Sequence, residues 1–535
     1  MKKQRLLIAS LLISISCVVQ AQPRNVTGVI KSDIDGKPIE GVEIRLKGDA
    51  TTAKSNENGN YSIVVDQKST ETLIFSHPDF EEMEVVVIGK SNLDLTLTSN
   101  IRLNQYGQPV ERESLVSEAR DGVLTFESKD KDFKIWTDFR LNIDYTKFFD
   151  NYDNSLAEGP EPPLNPTAGN PEDAIQLSDG GHIRRARFAF KAQVSEKWYG
   201  EIDFDFRDLE VDINDVYLQY SVNDALSFQV GQFREPMGMM TNTTSRYVTF
   251  MERPLSCELD PSRHMGIGAK YSHPWFYAGA GLFTDEAYGV DEKDIRRKKR
   301  TGTESSKAVT GRIMGFPIKG DDIVLGIGAG GSYRTPQITD EGAYTVRVRV
   351  NDENRTSQKR FLDTEEVGRV KNIVLANAEL AFAYKSFRLQ GEYKIMTLKR
   401  GKIYDDINYT GQNLKDANYG GYYIEASYYL FGDRQNFNYG DAEFTRINPK
   451  SKKGSVEIAA RYSYLNLNDE DAKVKGGEGK ITSLGITYWA KKNVRIILNA
   501  AYVDHDENAT SKYKWKVPEG GFDYHWVGTR FEIDF

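Results

Sequence analysis

The residue types that carry out covalent chemistry are sparse in this sequence and poorly spaced for it. Its six histidines, at positions 77, 182, 264, 273, 505 and 525, are scattered, and no zinc-protease helix motif, P-loop, Cys-x-x-Cys or nucleophile elbow occurs. An enzyme is therefore not expected, and neither a metal nor a cofactor is implied. Gly326-Ile327-Gly328-Ala329-Gly330-Gly331 satisfies G-x-G-x-x-G in form, but it sits inside a strand pattern with no helix behind it to receive a pyrophosphate. Small residues making room for a close neighbour explain it better. What remains is charge in rows. Arg185, Arg187 and Lys191 share the polar face of one alternating segment, and Lys134 and Arg140 share that of the segment before it. Cations lining a water-filled passage attract anions, and partial hydration keeps the binding shallow enough for release. Asp138, Glu201, Asp203 and Asp205 lie on the same face, however, and opposed cross-strand charges pair. Both readings of the arginine row stand at this level.

The segments that must position these residues are long alternating strands. The first places Phe133, Ile135, Thr137, Phe139, Leu141, Ile143 and Tyr145 on one face and Lys134, Trp136, Asp138, Arg140, Asn142 and Asp144 on the other. About sixteen such segments follow one another from 133–149 and 183–195 to 493–504 and 523–535. Connectors after the odd segments are mostly long (150–182, 234–263, 285–307, 335–370, 400–419, 505–522), and those after the even ones are mostly tight turns; 433–453 breaks the rule. An even number of antiparallel strands with long loops at one end is the layout of an outer-membrane barrel, which must close so that no backbone edge meets lipid. Trp198, Trp275, Tyr422, Tyr428, Tyr488 and Trp526 near strand ends suit interfacial girdles.

Ahead of the strands, residues 1–21 have the anatomy of a secretory signal, with Lys2, Lys3 and Arg5 before an apolar run and cleavage expected after Ala21. The formal charge of the 535 residues is −8. Loss of the signal's three cations takes it to about −11, so nothing suggests nucleic acid as a partner. Of two cysteines, Cys17 leaves with the signal, and Cys257 alone permits no internal disulfide. Residues 22–100 read as short strands separated by turns such as Asp35-Gly36-Lys37-Pro38, the pattern of a small β-sandwich, and 101–132 read as a polar linker. The expected fold is all-β: an N-terminal small β-sandwich followed by a 16-stranded antiparallel transmembrane β-barrel over 133–535. A basic run, Lys293 to Arg300, falls in a long connector, where it either collects anions or lipopolysaccharide phosphates or is simply a solvated loop.

Several stretches resemble the phosphate-selective porin O/P family of outer-membrane porins: GHIRRARFAFKAQV from Gly181, VGQFREPMG from Val230, FMERPLS from Phe250, PSRHMGIGAKY from Pro261, SVEIAARYSYLNLND from Ser455 and SLGITYWAKKNVRIILNAAYV from Ser483. The leading domain resembles the carboxypeptidase regulatory-like sandwich through GVIKSDIDGKPIEGVEIRLKG from Gly28 and TAKSNENGNYSIVV from Thr52, which implies no peptidase activity. The resemblance implies passive diffusion of small solutes, with anions such as phosphate favoured, a homotrimer in the outer membrane, and the leading domain in the periplasm. It implies that connector 234–263 folds inward and narrows the channel, which gives Arg234, Arg253 and Arg263 a constriction role. It also implies that the terminal Phe535 is the aromatic read by the barrel-assembly machinery. The lysines that would complete a dense cationic cluster are absent from 234–263. The competing reading is a surface binding or adhesion protein that uses the barrel as its membrane anchor.

Overall fold

A computed structural model describes residues 23–65, 71–111, 115–120, 123–150, 177–207, 211–285, 306–336, 345–357, 359–401, 414–509 and 520–535. The signal segment and the basic run 293–300 lie outside these residues. The chain divides into two compact units, Met1–Ser114 and Leu115–Phe535.

In the first unit, seven strands between residues 24 and 97 form a three-stranded and a four-stranded sheet. Alternation builds the core. Strand Asn60–Val65 buries Tyr61, Ile63 and Val65 and exposes the residues between them, and these meet Val26, Ile30, Ile44, Leu73 and Phe75. Gly59 adopts φ 69°, and a Cβ there would lie 2.4 Å from the Ile30 carbonyl oxygen, so the turn before this strand needs glycine. The Tyr61 hydroxyl donates to the Leu93 carbonyl at 2.8 Å, and burial pushes its phenol up to about 12.

In the second unit, sixteen strands among the described residues close into an antiparallel barrel, as the alternation predicts. They are β1 Phe133–Asp150, β2 Gly180–Val194, β3 Trp198–Asp205, β4 Asp212–Ser221, β5 Leu226–Arg234, β6 Arg263–His273, β7 Phe276–Phe283, β8 Ala308–Lys319, β9 Ile323–Arg334, β10 Val370–Tyr384, β11 Phe387–Arg400, β12 Ala417–Tyr429, β13 Ser455–Asp469, β14 Val474–Lys491, β15 Val494–His505 and β16 Phe522–Asp534. Each pairs with the next, and β16 returns to β1 from Arg140↔Asp534 to Asp150↔Tyr524. The outer face is apolar, with Ile143, Leu218, Ile267, Leu282 and Leu484 exposed, whereas Arg140, Asp144, Glu379, Lys394, Arg461 and Arg530 are buried inside. That inversion is what lipid outside and water inside select.

Residues 101–132 are more structured than a polar linker. Leu115–Arg120 and Val123–Ser128 form a hairpin whose second strand pairs with the start of β1, Thr125↔Trp136 to Glu127↔Lys134. Because β16 stops opposite Arg140, the first residues of β1 have no partner on that edge, and the hairpin satisfies their backbone groups. Its first strand is exposed throughout, so it carries no burial pattern for the sequence to reveal.

Candidate functional site: the charged lumen

The lumen is built from the inward positions of the strands and from three inserted segments. Between β5 and β6, residues 235–262 fold inside the barrel as an inner loop containing a helical turn, Met239–Asn242, and a 3-10 turn, Leu255–Leu259. Met237, Met251, Leu255 and Leu259 pack in one cluster with Phe148, Ile497, Ala501, Tyr524 and Trp526 of the wall. The expected inward fold of this connector is therefore present. From the β9–β10 connector, Asp352 accepts hydrogen bonds from the Tyr524 hydroxyl at 2.6 Å and pairs with His505 Nε2 at 2.9 Å. From the irregular segment between β12 and β13, a hairpin of Asn436–Asn438 and Glu443–Thr445 enters as well. Its Asp441 and Ala442 carbonyls accept from Arg312 at 3.2 and 2.8 Å.

Ion pairs fasten these pieces to the wall. Arg184 Nε meets Glu252 of the inner loop at 2.7 Å, and Arg530 meets Glu252 at 2.8 Å and Asp144 at 2.7 Å. Arg495 pairs with Glu532 at 2.8 Å and donates to the Val248 carbonyl at 2.9 Å, and Lys394 pairs with Asp260 and with Glu392 at 3.2 Å. Arg312 and Glu379, 2.9 Å apart, are both buried. The glycines of β9 leave room there: a Cβ on Gly328 would lie 3.1 Å from Glu379 Oε2, and one on Gly330 would lie 2.5 Å from Asn377 Oδ1. The G-x-G-x-x-G match is thus a stretch of wall that admits lumenal side chains, paired on both edges within the sheet.

On the β1–β7 side a cavity of about 280 Å³ remains between wall, inner loop and hairpin. Its cations are Arg140, Arg187, Lys191, Arg234, Arg246 and Arg263, and its acids are Asp138, Glu201, Asp203, Asp215, Asp441 and Glu443. Equal numbers do not mean equal availability. Arg187 pairs with Asp205 at 3.0 Å, Lys191 with Asp138 at 2.9 Å and Glu201 at 3.5 Å, Arg263 with Asp215 at 2.7 Å, and Arg246 with Asp138 and Asp534. By contrast, Arg140 donates to the Ser245 hydroxyl and Arg234 to the Thr241 carbonyl, neither of them charged acceptors.

Of the residues singled out from sequence, Arg140, Arg187, Lys191, Arg234 and Arg263 therefore share one cavity. Lys134 stands apart near the start of β1, its ammonium 4.8 Å above the Trp136 ring. Arg185 is sealed between the wall and the inner loop, 3.8 Å from Glu252. Arg253 donates to the Met240 and Thr243 carbonyls and so ties the inner loop to itself. Phe535 pairs with Phe139 through both backbone groups, with their rings 5.4 Å apart. Arg184 escaped the sequence reading. A register shift between Asn142 and Ile143 of β1 leaves Arg184 as an extra residue on β2, so two consecutive arginines reach Glu252. Strict alternation assigns Arg184 to the outside and cannot reveal this.

Comparison with known proteins agrees with this architecture. Residues 170–535 match the family described as phosphate-selective porin O and P, and residues 26–106 match the CarboxypepD_reg-like domain. Porin O of Pseudomonas aeruginosa is 24% identical over 416 residues, covering 71% of this chain and 85% of that protein. TonB-dependent receptor P3 of Formosa agariphila is 33% identical over 96 residues, 18% of this chain and 10% of that protein. Among solved structures, the anion-selective porin from Comamonas acidovorans aligns with a TM-score of 0.45 at 12% identity, covering 75% of this chain and all of that one. The channel DcaP of Acinetobacter baumannii aligns with a TM-score of 0.44 at 10% identity, covering 77% and 99%. A closed barrel with charge inside and apolar residues outside, matched over most of its length by one family, places the chain in the phosphate-selective porin O and P family of outer-membrane porins, which are channels rather than enzymes, with a CarboxypepD_reg-like domain at its N-terminal side.

Proposed function

We propose that the protein passes small solutes by passive diffusion along the β1–β7 side of its lumen, with a modest preference for anions and no strong selection of phosphate. The observation that carries this reading is the uneven pairing of the cavity's charges: Arg140 and Arg234 are held by neutral oxygens, while the other four cations face carboxylates. Two guanidinium groups without a carboxylate at ion-pair distance bias the local potential toward anions, and the surrounding ion pairs keep any one anion from binding deeply. Proteoliposomes test this: chloride and phosphate should leave vesicles carrying the protein faster than potassium-limited controls, at similar rates for the two anions. Phosphate flux far above chloride would replace the reading with a dedicated phosphate channel.

The homotrimer expected from the family gains support from strand length. Strands β3 to β7 have 8, 10, 9, 11 and 8 residues, against 18 in β1 and in β14. At about 3.3 Å per residue and a tilt of about 40°, eight residues rise roughly 20 Å, short of an apolar band about 25 Å tall. A wall this low is best covered by protein, and a second copy of the chain is the natural cover. The leading domain belongs to the periplasm in this reading.

A further inference from the structure

The same side of the lumen holds a second feature that ion passage does not use. Trp136, Tyr199, Tyr217, Phe233 and Phe283 form one unbroken chain of rings, with successive centroids 5.7, 5.9, 6.1 and 5.3 Å apart. The row has a direction. Cross-strand partners run Trp136↔Lys191↔Glu201↔Tyr217↔Gly231↔Gly266↔Phe283. Trp136 is near the start of β1, at the tight-turn end, and Phe283 is the last residue of β7, at the long-loop end. Strand tilt thus turns a lateral row into a strip that climbs the wall from one mouth toward the other.

The rings lean along the wall over glycines of neighbouring strands. A Cβ on Gly268 would lie 3.0 Å from the Phe233 ring, and one on Gly266 would lie 2.4 Å from the Phe283 ring. Trp136, Tyr199 and Tyr217 are half-buried and form the accessible part of the row, whereas Phe233 and Phe283, at its far end, are buried. Tyr217 and Phe233 line a further cavity of about 200 Å³ whose other walls carry Glu201, Gln229, Arg234 and Asn242. Both tyrosine hydroxyls donate to Glu201 Oε2, at 2.6 and 3.1 Å, which fixes the rings, while Lys191 lies 3.5 Å from the other oxygen.

An aromatic platform beside planar carboxylate, amide and guanidinium groups recognises one solute class in particular. The C–H faces of a pyranose stack on rings, and its hydroxyls pair bidentately with such groups. Resting on the channel reading above, we propose that this strip is a track for short saccharides, so that sugars are a guided cargo of the pore. Repeated shallow stacking sites speed passage of a ring-shaped solute because none is deep enough to hold it.

The test uses the full-length protein with maltohexaose and trigalacturonic acid as neutral and acidic probes, combining ion-current block in planar bilayers with titration calorimetry in detergent. At least one probe should bind and interrupt the current. Tyr199→Leu and Tyr217→Leu should each weaken its binding about fivefold, whereas Tyr217→Phe, which keeps the ring, should stay within about twofold. An ion-conducting channel that neither probe binds or blocks at about 10 mM, or whose leucine variants bind as well as the parent, would overturn the track and leave the channel standing. Binding that follows the ring variants in a protein that conducts no ions would support the saccharide site and sink the channel reading instead.

Discussion

Two kinds of arginine occupy this lumen, and they have different measurable consequences. Arg140 and Arg234 face the cavity from neutral hydrogen-bond partners, so replacing both with glutamine should lower the chloride-to-potassium permeability ratio by a factor of about two to five. Arg185→Gln, in a side chain sealed from the cavity beside Glu252, should leave that ratio unchanged. Glu252 is a fastener: it receives Arg184 and Arg530 from opposite sides of the β1 seam. Glu252→Gln should cost about 3 kcal/mol in thermal unfolding and raise current noise as the inner loop loosens. In the first unit, Tyr61 has a folded pKa of about 12 against an ordinary value of 10. Its raised pKa favours the folded state fully below pH 10, and that contribution is lost as pH rises from 10 through 12, whereas Tyr61→Phe should remove this alkaline step. At this scale the sequence showed Arg187 and Lys191 on one face together with the acids that could neutralise them. Which arginines kept a carboxylate depended on carbonyls and hydroxyls of the folded inner loop, and Arg184 depended on a bulge, so neither was legible.

The strands were legible because lipid on one side and water on the other impose a strict period of two over ten or more residues, as in β1 and β16. The interior pieces were not, because their residues are held by partners hundreds of positions away. Met251 N–H donates to Asn499 and Leu255 N–H to Ser463, and no local pattern announces either. The departure of 433–453 from the connector rule was visible, and the hairpin inside the barrel is its cause. Its Phe444 ring lies 5.1 Å from the Arg388 guanidinium, and its Lys270–Asp441 contact reaches β6. Deleting residues 436–445 should enlarge single-channel conductance without preventing barrel closure, since the sixteen-strand ladder does not pass through it. The low wall of β3 to β7 carries its own expectation. Cysteines at Leu218 and Ile267, both outward and exposed, should cross-link copies of the chain in native membranes, whereas a cysteine at Leu484 on long β14 should not.

For the whole molecule, structure and family agree on a closed barrel of the porin type, and the proposed passage runs along one side of it. The β10–β16 side is filled by the inner loop and the β9–β10 insert, locked by ion pairs such as Arg495–Glu532 and Arg530–Asp144, and the hairpin packs against β7 to β10. The charged cavity and the aromatic strip both belong to the β1–β7 side, so electrostatic bias and ring stacking act on the same solute stream. The zero-current potential of the purified protein in a planar bilayer across a potassium chloride gradient, repeated with phosphate on one side, tests this most directly. An ohmic conductance with a modest potential of anion-selective sign, little changed by phosphate, is the predicted result. A potential of cation-selective sign, or no conductance at all, would contradict it, and the absence of conductance would make the barrel an anchor for surface binding instead of a passage.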